Sequence, residues 1–458
     1  MYLMKNNDFG LKASKYNIFV DIGKGRYILF NSMSKTVSVV TYDVKKRLQS
    51  DYYRTETGLA DYMDEIKVLG EGGFLISSEK DELTEFRELH LNSKFDETSA
   101  TFVIIPTFSC NLKCPYCYQG QGIQRPVGSM NEKTSKVVAD FIVKYISQHK
   151  TKSLLIQIIG GEPLANFSPL EYILSSVHKY CTDSSIEVTI EIDTNGTLIT
   201  DEIIEKIQKF SPTVVISLDG SKQFHNKHRF FNDGTGTFDR IIQNIELLIE
   251  RNIVVEGNIC VSKDNFSSMK ELLMNLRSRG IVIPVNFIHL RERTGACSSF
   301  SSSCFMDTDW GKRILPLLLE TARKENTRIA SRPWAPYVFC NMQRKSGFVI
   351  DPLGYLYRCP VLAGHTNHIV GRIEPGGKCT FTNNNMRWLE RDPTTFVECK
   401  ECNLLPLCAG GCTQSAFRKT GTYNNPDCYL RTFIEADILD YARRNGVDIF
   451  EGNHHEFS

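Results

Sequence analysis

From residue 101 onward two hydrophobic rhythms alternate along the chain. TFVIIP, LLIQIIG, IEVTIEIDT, TVVISLDG, VVEGNICV and IPVNFIHL are short runs rich in β-formers, and between them lie stretches with the spacing of a one-sided helix. In NEKTSKVVADFIVKYISQ, Val137, Val138, Phe141, Ile142, Tyr145 and Ile146 fall on one helical face. PLEYILSSVHKYC, DEIIEKIQKF, TFDRIIQNIELLIERN and SSMKELLMNLRSRG repeat the pattern. This alternation predicts parallel βαβ units, and the six strand-like runs predict an α/β fold, a partial (β/α)6 TIM-like barrel. In such folds chemistry gathers at the C-terminal ends of the strands.

Upstream the pattern differs. YNIFVDI, GRYILFN and TVSVVTY cluster β-formers around Gly23, Gly25 and Asn31, which predicts a hairpin or three-stranded sheet. YDVKKRLQSDYY and TGLADYMDEIKVLGEGG read as helices, and GFLISSEKDELTEFRELHL as a strand followed by a helix with an acidic start. The order suits a winged-helix-like unit over residues 1–95, and by itself fits a generic scaffold as well as a peptide reader. The polar segment LNSKFDETSA marks the linker to a barrel over 96–310. A bridging segment over 311–336 then leads to a cysteine-rich domain over 337–458.

Composition narrows the function classes. The 458 residues carry 54 Lys plus Arg against 53 Asp plus Glu, so no net field attracts nucleic acid or an anionic membrane. No apolar run approaches the ~20 residues needed to span a bilayer. The N-terminal stretch MYLMKNNDFGLKASKYN has no signal-peptide core, so a cytoplasmic protein is expected. Fifteen cysteines in such a chain point to metal ligation, because cytosolic thiols are kept reduced. None precedes Cys110, and eight lie from Cys340 onward.

The first cysteines sit on one loop. An apolar strand, Phe102 to Ile105, leads into a turn carrying Cys110, Cys114 and Cys117. Three thiolates so spaced hold three irons of a four-iron cluster and leave the fourth iron for a substrate or cofactor. The next strand ends in Gly160-Gly161-Glu162-Pro163, where two glycines permit close backbone approach to a ligand and a carboxylate could meet an ammonium group. Alone, the tetrapeptide is equally an ordinary strand-to-loop turn. Asp193-Thr194-Asn195-Gly196-Thr197 and Ser217-Leu218-Asp219-Gly220 close two later strands, and together these segments ring one mouth with polar groups.

CxxxCxxC with Tyr116 before its last cysteine, followed by GGEP, TNGT and SLDG, resembles the radical S-adenosylmethionine superfamily over roughly residues 100–330. The resemblance implies a [4Fe-4S] cluster on Cys110, Cys114 and Cys117 that binds S-adenosylmethionine and yields a 5′-deoxyadenosyl radical able to abstract an unactivated hydrogen. It assigns Gly160, Gly161 and Glu162 to the methionyl amino group and places Asn195 and Ser217 on strand ends that touch the cofactor. Arg229 is either the partner of the cofactor carboxylate or a surface charge. The cofactor supplies the hard chemistry, and the protein supplies orientation.

The C-terminal cysteines form a second pattern. Cys340 is followed by thirteen residues, Gly354, four residues and Cys359; then comes Cys399-x2-Cys402-x5-Cys408-x3-Cys412, fifteen residues and Cys428. Zinc ribbons are the simplest metal reading of such spacing. The full order of seven, however, resembles the SPASM domain, which carries two auxiliary [4Fe-4S] clusters and brings the total to three. The family pattern gives Cys399, Cys402, Cys408 and Cys428 to the outer cluster and Cys340, Cys359 and Cys412 to the inner one. That leaves the inner cluster with three ligands, unless Cys379, Cys297 or Cys304 closes it. Cys181 and Cys260 lie in apolar patterns and read as structural thiols.

SPASM enzymes act mostly on peptides and proteins. Anaerobic sulfatase maturases carry a basic aspartate directly after the cysteine of the GxxxxC element, where this chain has Pro360. The N-terminal unit stands where ribosomal-peptide maturases have a precursor-recognition element, which binds a leader peptide as an added edge strand. The resemblance thus implies an oxidoreductase that modifies a precursor peptide, most simply by a thioether crosslink, with a flavodoxin or ferredoxin as electron donor. Carbon-carbon or carbon-oxygen crosslinking, epimerisation and sulfatase-maturase-like oxidation are alternatives. A DNA-binding regulator with zinc ribbons is the rival of another class, and the near-neutral charge and the GGEP set weigh against it.

Overall fold

The computed structural model describes residues 10–447 apart from 51–52, 54–61, 121–125, 292–299 and 331–336. Near the N-terminus, β1 (Leu11–Ala13) pairs with β5 (Leu75–Ser77), while β2 (Asn17–Asp21), β3 (Arg26–Asn31) and β4 (Val37–Thr41) form a three-stranded antiparallel sheet. The buried Asn31 ties this unit together: its Nδ2 donates to Ser14 Oγ, Asn17 Oδ1 and Gly73 O, each within 3.0 Å. Because side chains alternate across strands, the small sheet has two apolar faces. Leu29 and Val40 pack on the unit's own Leu48, Leu69 and Phe74, whereas Ile18, Val20, Ile28 and Phe30 pack on Leu404, Leu407 and the helix Ile434–Arg444. The N-terminal unit is therefore docked on the cysteine-rich C-terminal region.

The six apolar runs become six parallel strands: β6 (Ser99–Ile104), β7 (Ser153–Ile158), β8 (Glu187–Thr194), β9 (Thr213–Ser217), β10 (Val254–Val261) and β11 (Val285–His289). Register is regular, with Phe102 beside Ile156 and Ile156 beside Ile190. Ile156, Ile158, Ile190, Ile192, Val214, Ile216 and Ile259 point outward into one core with the helices. Helix Glu132–Gln148, capped by Asn131, contributes Val138, Phe141, Ile142 and Ile146 to that core; Val137 sits at its rim. The alternate positions, among them Gln157, Glu191, Asp193, Glu256 and Asn258, line the inside of the curve.

The sheet does not stop at the barrel. β12 (Gly347–Ile350) pairs in parallel with β6, with Phe348 beside Phe102, and β13 (Tyr355–Tyr357), β14 (Gly371–Glu374) and β15 (Lys378–Phe381) extend it as antiparallel hairpins. The whole is a ten-stranded sheet whose C-terminal strands cover the β6 edge. Phe102 and Phe348 stack at 5.9 Å across that junction. Among the described residues, no helix is long and apolar enough to cross a membrane.

Candidate active site

The cysteine loop leaves β6 at its C-terminal end and is shaped by its own backbone. Thr107 Oγ1 accepts the Ser109 N–H at 3.0 Å, the Leu112 N–H points at Cys110 Sγ at 3.4 Å, and Cys117 N–H donates to Cys114 O at 3.2 Å. Cys110, Cys114 and Cys117 converge in a small apolar pocket with Leu112, Tyr116 and Leu290. Burial pushes the Cys114 thiol up to about 12; Arg229 opposes that shift, while Cys117 and Cys110 add to it. A bound cation such as an iron cluster offsets that cost by favouring the Cys114 thiolate. The donor set fits the group that the sequence implies.

Gly160 and Gly161 have a structural reason other than close approach to a ligand. A Cβ on Gly160 would lie 2.7 Å from Thr107 O, and one on Gly161 would lie 2.2 Å from Ser109 O and 2.4 Å from Phe108 O. The glycines let the GGEP turn lie directly against the cysteine loop, where Gly161 N–H donates to Thr107 O at 3.0 Å and Glu162 N–H to Ser109 O at 2.9 Å. The Glu162 carboxylate is engaged by the protein itself. It is fully buried, with Oε1 accepting from Leu164 N (3.0 Å) and Thr194 Oγ1 (2.7 Å), and Oε2 from Asn195 N (2.8 Å). Burial pushes its pKa up, and the three hydrogen bonds oppose that shift.

Asn195, in turn, faces the loop. Its Nδ2 donates to Asn111 Oδ1 at 2.9 Å and lies 3.8 Å from Cys110 Sγ, while its Oδ1 accepts from Thr197 N and Oγ1. Asn111 Nδ2 closes the circuit to Thr197 Oγ1 at 2.8 Å. Asn111, Thr194 and Thr197 are positioning residues that sequence reading passed over; the two threonines were visible only as parts of the TNGT turn. Ser217 ends β9 in register with Asn258 of β10.

Arg229 is not a surface charge. It is 9% exposed, and its Nε donates at 2.7 Å to Asp219, which is wholly buried. Asp219 also accepts from the Tyr116 hydroxyl and, through Oδ1, from Cys260 N at 3.0 Å. The guanidinium lies 5.5 Å from the centre of the Tyr116 ring, so the aromatic between the second and third cysteines is fixed by an aspartate and an arginine. His225 is neutral here: burial pulls its pKa down to about 3, Nδ1 accepts the Asp219 N–H at 3.1 Å, and Nε2 meets Thr237 Oγ1.

Inside the barrel Asp193 accepts a hydrogen bond from Gln157 Nε2 at 2.8 Å. Burial, then Glu191, pushes its pKa up to about 7; Gln157 opposes and Glu256 adds. A carboxyl titrating near neutrality can hold or accept a proton. The alternation in IEVTIEIDT placed Glu191 and Asp193 on one face, but not on which face. Tyr118, directly after Cys117, feels Cys117, Asp193 and Cys359, which brings the cysteine loop, the barrel interior and the C-terminal region together.

In that region the thiols fall into groups. Cys399 is influenced by Cys402 and Cys428, and Cys408 by Cys399, Cys402 and Cys428; burial raises both pKa values, that of Cys399 to about 12. Cys340 is raised to about 12, first by burial and then by Cys412. Cys359 packs beside Leu362, Trp388 and Tyr423. Cys379 lies on β15 against the barrel core, with Arg358 and Glu374 as its charged neighbours. Cys304 and Cys260 belong to the pocket of Cys110, Cys114 and Cys117. Cys260 thus packs beside the cysteine loop, whereas Cys181 is fully buried in the helix core. Cys297 lies outside the described residues. Among the described residues no three His, Cys, Asp or Glu side chains close around a single-ion position.

The Radical SAM superfamily profile matches residues 104–276. Over 459 aligned residues the chain is 23% identical to the radical SAM cyclopropyl synthase TigE of Paramaledivibacter caminithermalis, covering 91% of this chain and 92% of that one. It is 24% identical to a serine-type anaerobic sulfatase-maturating enzyme of Klebsiella aerogenes over 74% of this chain and 85% of the other. The fold matches Streptococcus suis SuiB bound to S-adenosylmethionine with a TM-score of 0.54 at 18% identity, covering 91% and 99% of the two chains. SuiB bound to its precursor peptide SuiA matches with a TM-score of 0.51 at 15% identity, covering 92% and 99%. With its cysteine loop on a partial barrel and these relatives, the chain belongs to the radical SAM superfamily of enzymes.

Proposed function

We propose that this enzyme modifies a ribosomally made precursor peptide, closing a thioether between a cysteine sulfur and a carbon of the same peptide. When bound, the [4Fe-4S] cluster and S-adenosylmethionine supply the 5′-deoxyadenosyl radical that removes a hydrogen atom. Cys110, Cys114 and Cys117 hold the cluster, and the Glu162–Asn195–Asn111–Thr197 network fixes their loop. The methionyl amino group falls to the backbone of Gly160, Gly161 and Glu162, since the Glu162 carboxylate is engaged elsewhere. Asn195, Ser217 and Arg229 complete the cofactor's surroundings. Asp193 takes the proton that ring closure releases.

The observation that carries the thioether reading is the placement of the inner thiols. Cys340, Cys359 and Cys412 are the three ligands the family pattern gives; Cys340 is coupled to Cys412, while Cys379 lies on β15 with Arg358 and Glu374 as its charged neighbours and Cys304 packs with Cys110 and Cys117. A substrate cysteine is then the natural fourth ligand, and its sulfur is delivered near Tyr118 and Asp193. Cys399, Cys402, Cys408 and Cys428 hold the outer auxiliary cluster. β4, an outer strand of the N-terminal sheet, offers an edge for a leader peptide. Flavodoxin or ferredoxin supplies electrons.

A second reading, carbon-carbon closure, is favoured by the likeness to a cyclopropyl synthase across the N-terminal unit as well as the barrel. Sulfatase-type oxidation is weakened by Pro360. Mass spectrometry of a cysteine-containing precursor peptide, incubated with reduced, reconstituted enzyme and then alkylated, separates these. Loss of two hydrogens together with one alkylatable thiol is expected. Loss of two hydrogens with the thiol intact selects carbon-carbon closure, deuterium uptake without loss selects epimerisation, and an unchanged peptide despite S-adenosylmethionine cleavage sinks the proposal.

A further inference from the structure

Arg391 follows the helix Asn383–Leu389 and is 4% exposed. Its guanidinium donates only to main-chain oxygens: Nε to Tyr423 O (2.9 Å), Nη1 to Ala409 O (3.1 Å), and Nη2 to Gly410 O (2.6 Å) and Asn425 O (2.8 Å). The nearby acids also serve other cations, Asp427 acting on Arg391 while paired with Lys419. Asp392 pairs with Arg87 at 3.1 Å, and Asp427 with Lys419 at 2.7 Å. Carbonyl oxygens solvate a guanidinium without cancelling its net charge.

The position of this charge is specific. Ala409, Gly410 and Gly411 are the whole link between Cys408 and Cys412, and all three have positive φ (42°, 76° and 79°). A Cβ on Gly410 would lie 2.8 Å from Arg391 Nη1, so the turn is folded directly onto the guanidinium. Arg391 also stacks 5.0 Å from the centre of Phe396, which packs against Cys399. Its electrostatic neighbours are the thiols of Cys408, Cys399 and Cys412, two from the outer set and one from the inner, followed by the buried Asp427 carboxylate.

We infer that Arg391 is a shared positioning residue that raises the reduction potentials of both auxiliary centres. The inference rests on the reading that the seven C-terminal cysteines hold two [4Fe-4S] clusters. Each centre gains negative charge when it takes up one electron, and a fixed cation in a dry region lowers the energy of that reduced form. Arg431 provides an internal contrast: its Nη2 lies 3.2 Å from Cys402 Sγ, but it is exposed, so water and salt screen it. A higher potential makes the auxiliary centres better acceptors for the electron that ring closure releases.

The test uses full-length protein carrying Cys110→Ala, Cys114→Ala and Cys117→Ala, so that only auxiliary centres give electron paramagnetic resonance signals during redox titration. Iron and sulfide are counted in each sample. At the parent midpoint, Arg391→Gln is expected to lower the reduced-to-oxidised ratio of both centres about tenfold, equivalent to about 59 mV for a one-electron couple. Arg391→Lys, which keeps the charge, and Arg431→Gln, at the screened site, are expected to move it far less. A parent without auxiliary iron sinks the cluster reading itself. Intact iron with no shift in Arg391→Gln, or an equal shift in Arg391→Lys, overturns the inference and leaves Arg391 as a former of the 409–411 turn. If Arg391→Gln loses iron, Arg391→Lys decides: retention of iron at the parent potential supports a role for the charge, and loss of iron overturns it.

Discussion

Glu162 and Asn195 belong to consecutive strand ends and are joined by one hydrogen bond, from the Asn195 N–H to Glu162 Oε2 at 2.8 Å. Each then reaches the cysteine loop by its own route, Glu162 through its N–H to Ser109 O and Asn195 through Nδ2 to Asn111 Oδ1. The loop is therefore held from β7 and β8 at once. Glu162→Gln preserves volume but turns an NH2 group toward a donor. Such a buried mismatch costs roughly 1–3 kcal/mol. Urea unfolding of the metal-free variant should show a loss of that size, and iron loading at the loop should fall. Parent-like unfolding and loading would remove this account of Glu162.

Gly161→Ala tests the same contact from the other side. The new methyl would lie 2.2 Å from Ser109 O, and both of the nearest oxygens belong to the backbone, so no side-chain rotation relieves the clash. The variant should fold around an intact helix core yet retain about one cluster less per chain. An iron assay beside far-ultraviolet circular dichroism reads both quantities.

Asp219 and Arg229 form the buried ion pair behind Tyr116. Removing one partner leaves the other charge uncompensated, at a cost of about 3–5 kcal/mol. Asp219→Ala and Arg229→Ala should each be strongly destabilising, and the double variant should lose much less than their sum. Denaturant titrations of the four metal-free proteins give the coupling. Additive losses would show that the pair does not act as a unit.

The barrel was legible because its signal is local: six β-rich runs and the helices between them follow from periodicity alone. The convergence of Cys110, Cys114 and Cys117 was legible from spacing, whereas the grouping of Cys399, Cys402, Cys408 and Cys428 was implied only by the resemblance to the SPASM domain. The partner of β6 was not, because pairing Phe348 with Phe102 is a choice between distant segments on which neither pattern bears. Nor could sequence orient Glu162. A carboxylate beside two glycines fits a ligand site as well as an internal brace, and only the donors on Leu164, Thr194 and Asn195 decide. Nor could sequence choose between the two readings of Arg229, since the partner that buries it, Asp219, lies ten residues away on another element.

Asp193 should give the enzyme a pH signature. Its pKa is pushed up to about 7 from an ordinary 3.8 by burial first and Glu191 second. A raised carboxyl pKa means that the folded state holds a proton the unfolded chain has released, so stability falls as pH rises from about 4 to about 7 and is flat above. Asp193→Asn removes that slope. Each pH unit crossed inside that window is worth about 1.4 kcal/mol, so the difference in unfolding free energy between pH 5 and pH 8 should shrink by up to about 3 kcal/mol. In peptide turnover, the acid limb near pH 7 should vanish with a lowered maximal rate, while cleavage of S-adenosylmethionine persists.

Cys379 distinguishes a three-thiol inner set from a four-thiol one. The sulfur lies on β15 beside Gly371, whose added Cβ would meet it at 3.3 Å, and its charged neighbours are Arg358 and Glu374. Cys340, by contrast, is coupled to Cys412. Cys379→Ser should therefore keep the parent's iron and sulfide content, whereas Cys412→Ser should lose about one cluster. The serine hydroxyl fills nearly the same space, so a loss in Cys379→Ser could not be blamed on a cavity. Loss of one cluster in Cys379→Ser would close the inner set with protein sulfur and remove the site for a substrate thiol. Peptide crosslinking would then have to proceed without sulfur capture, as in carbon-carbon closure.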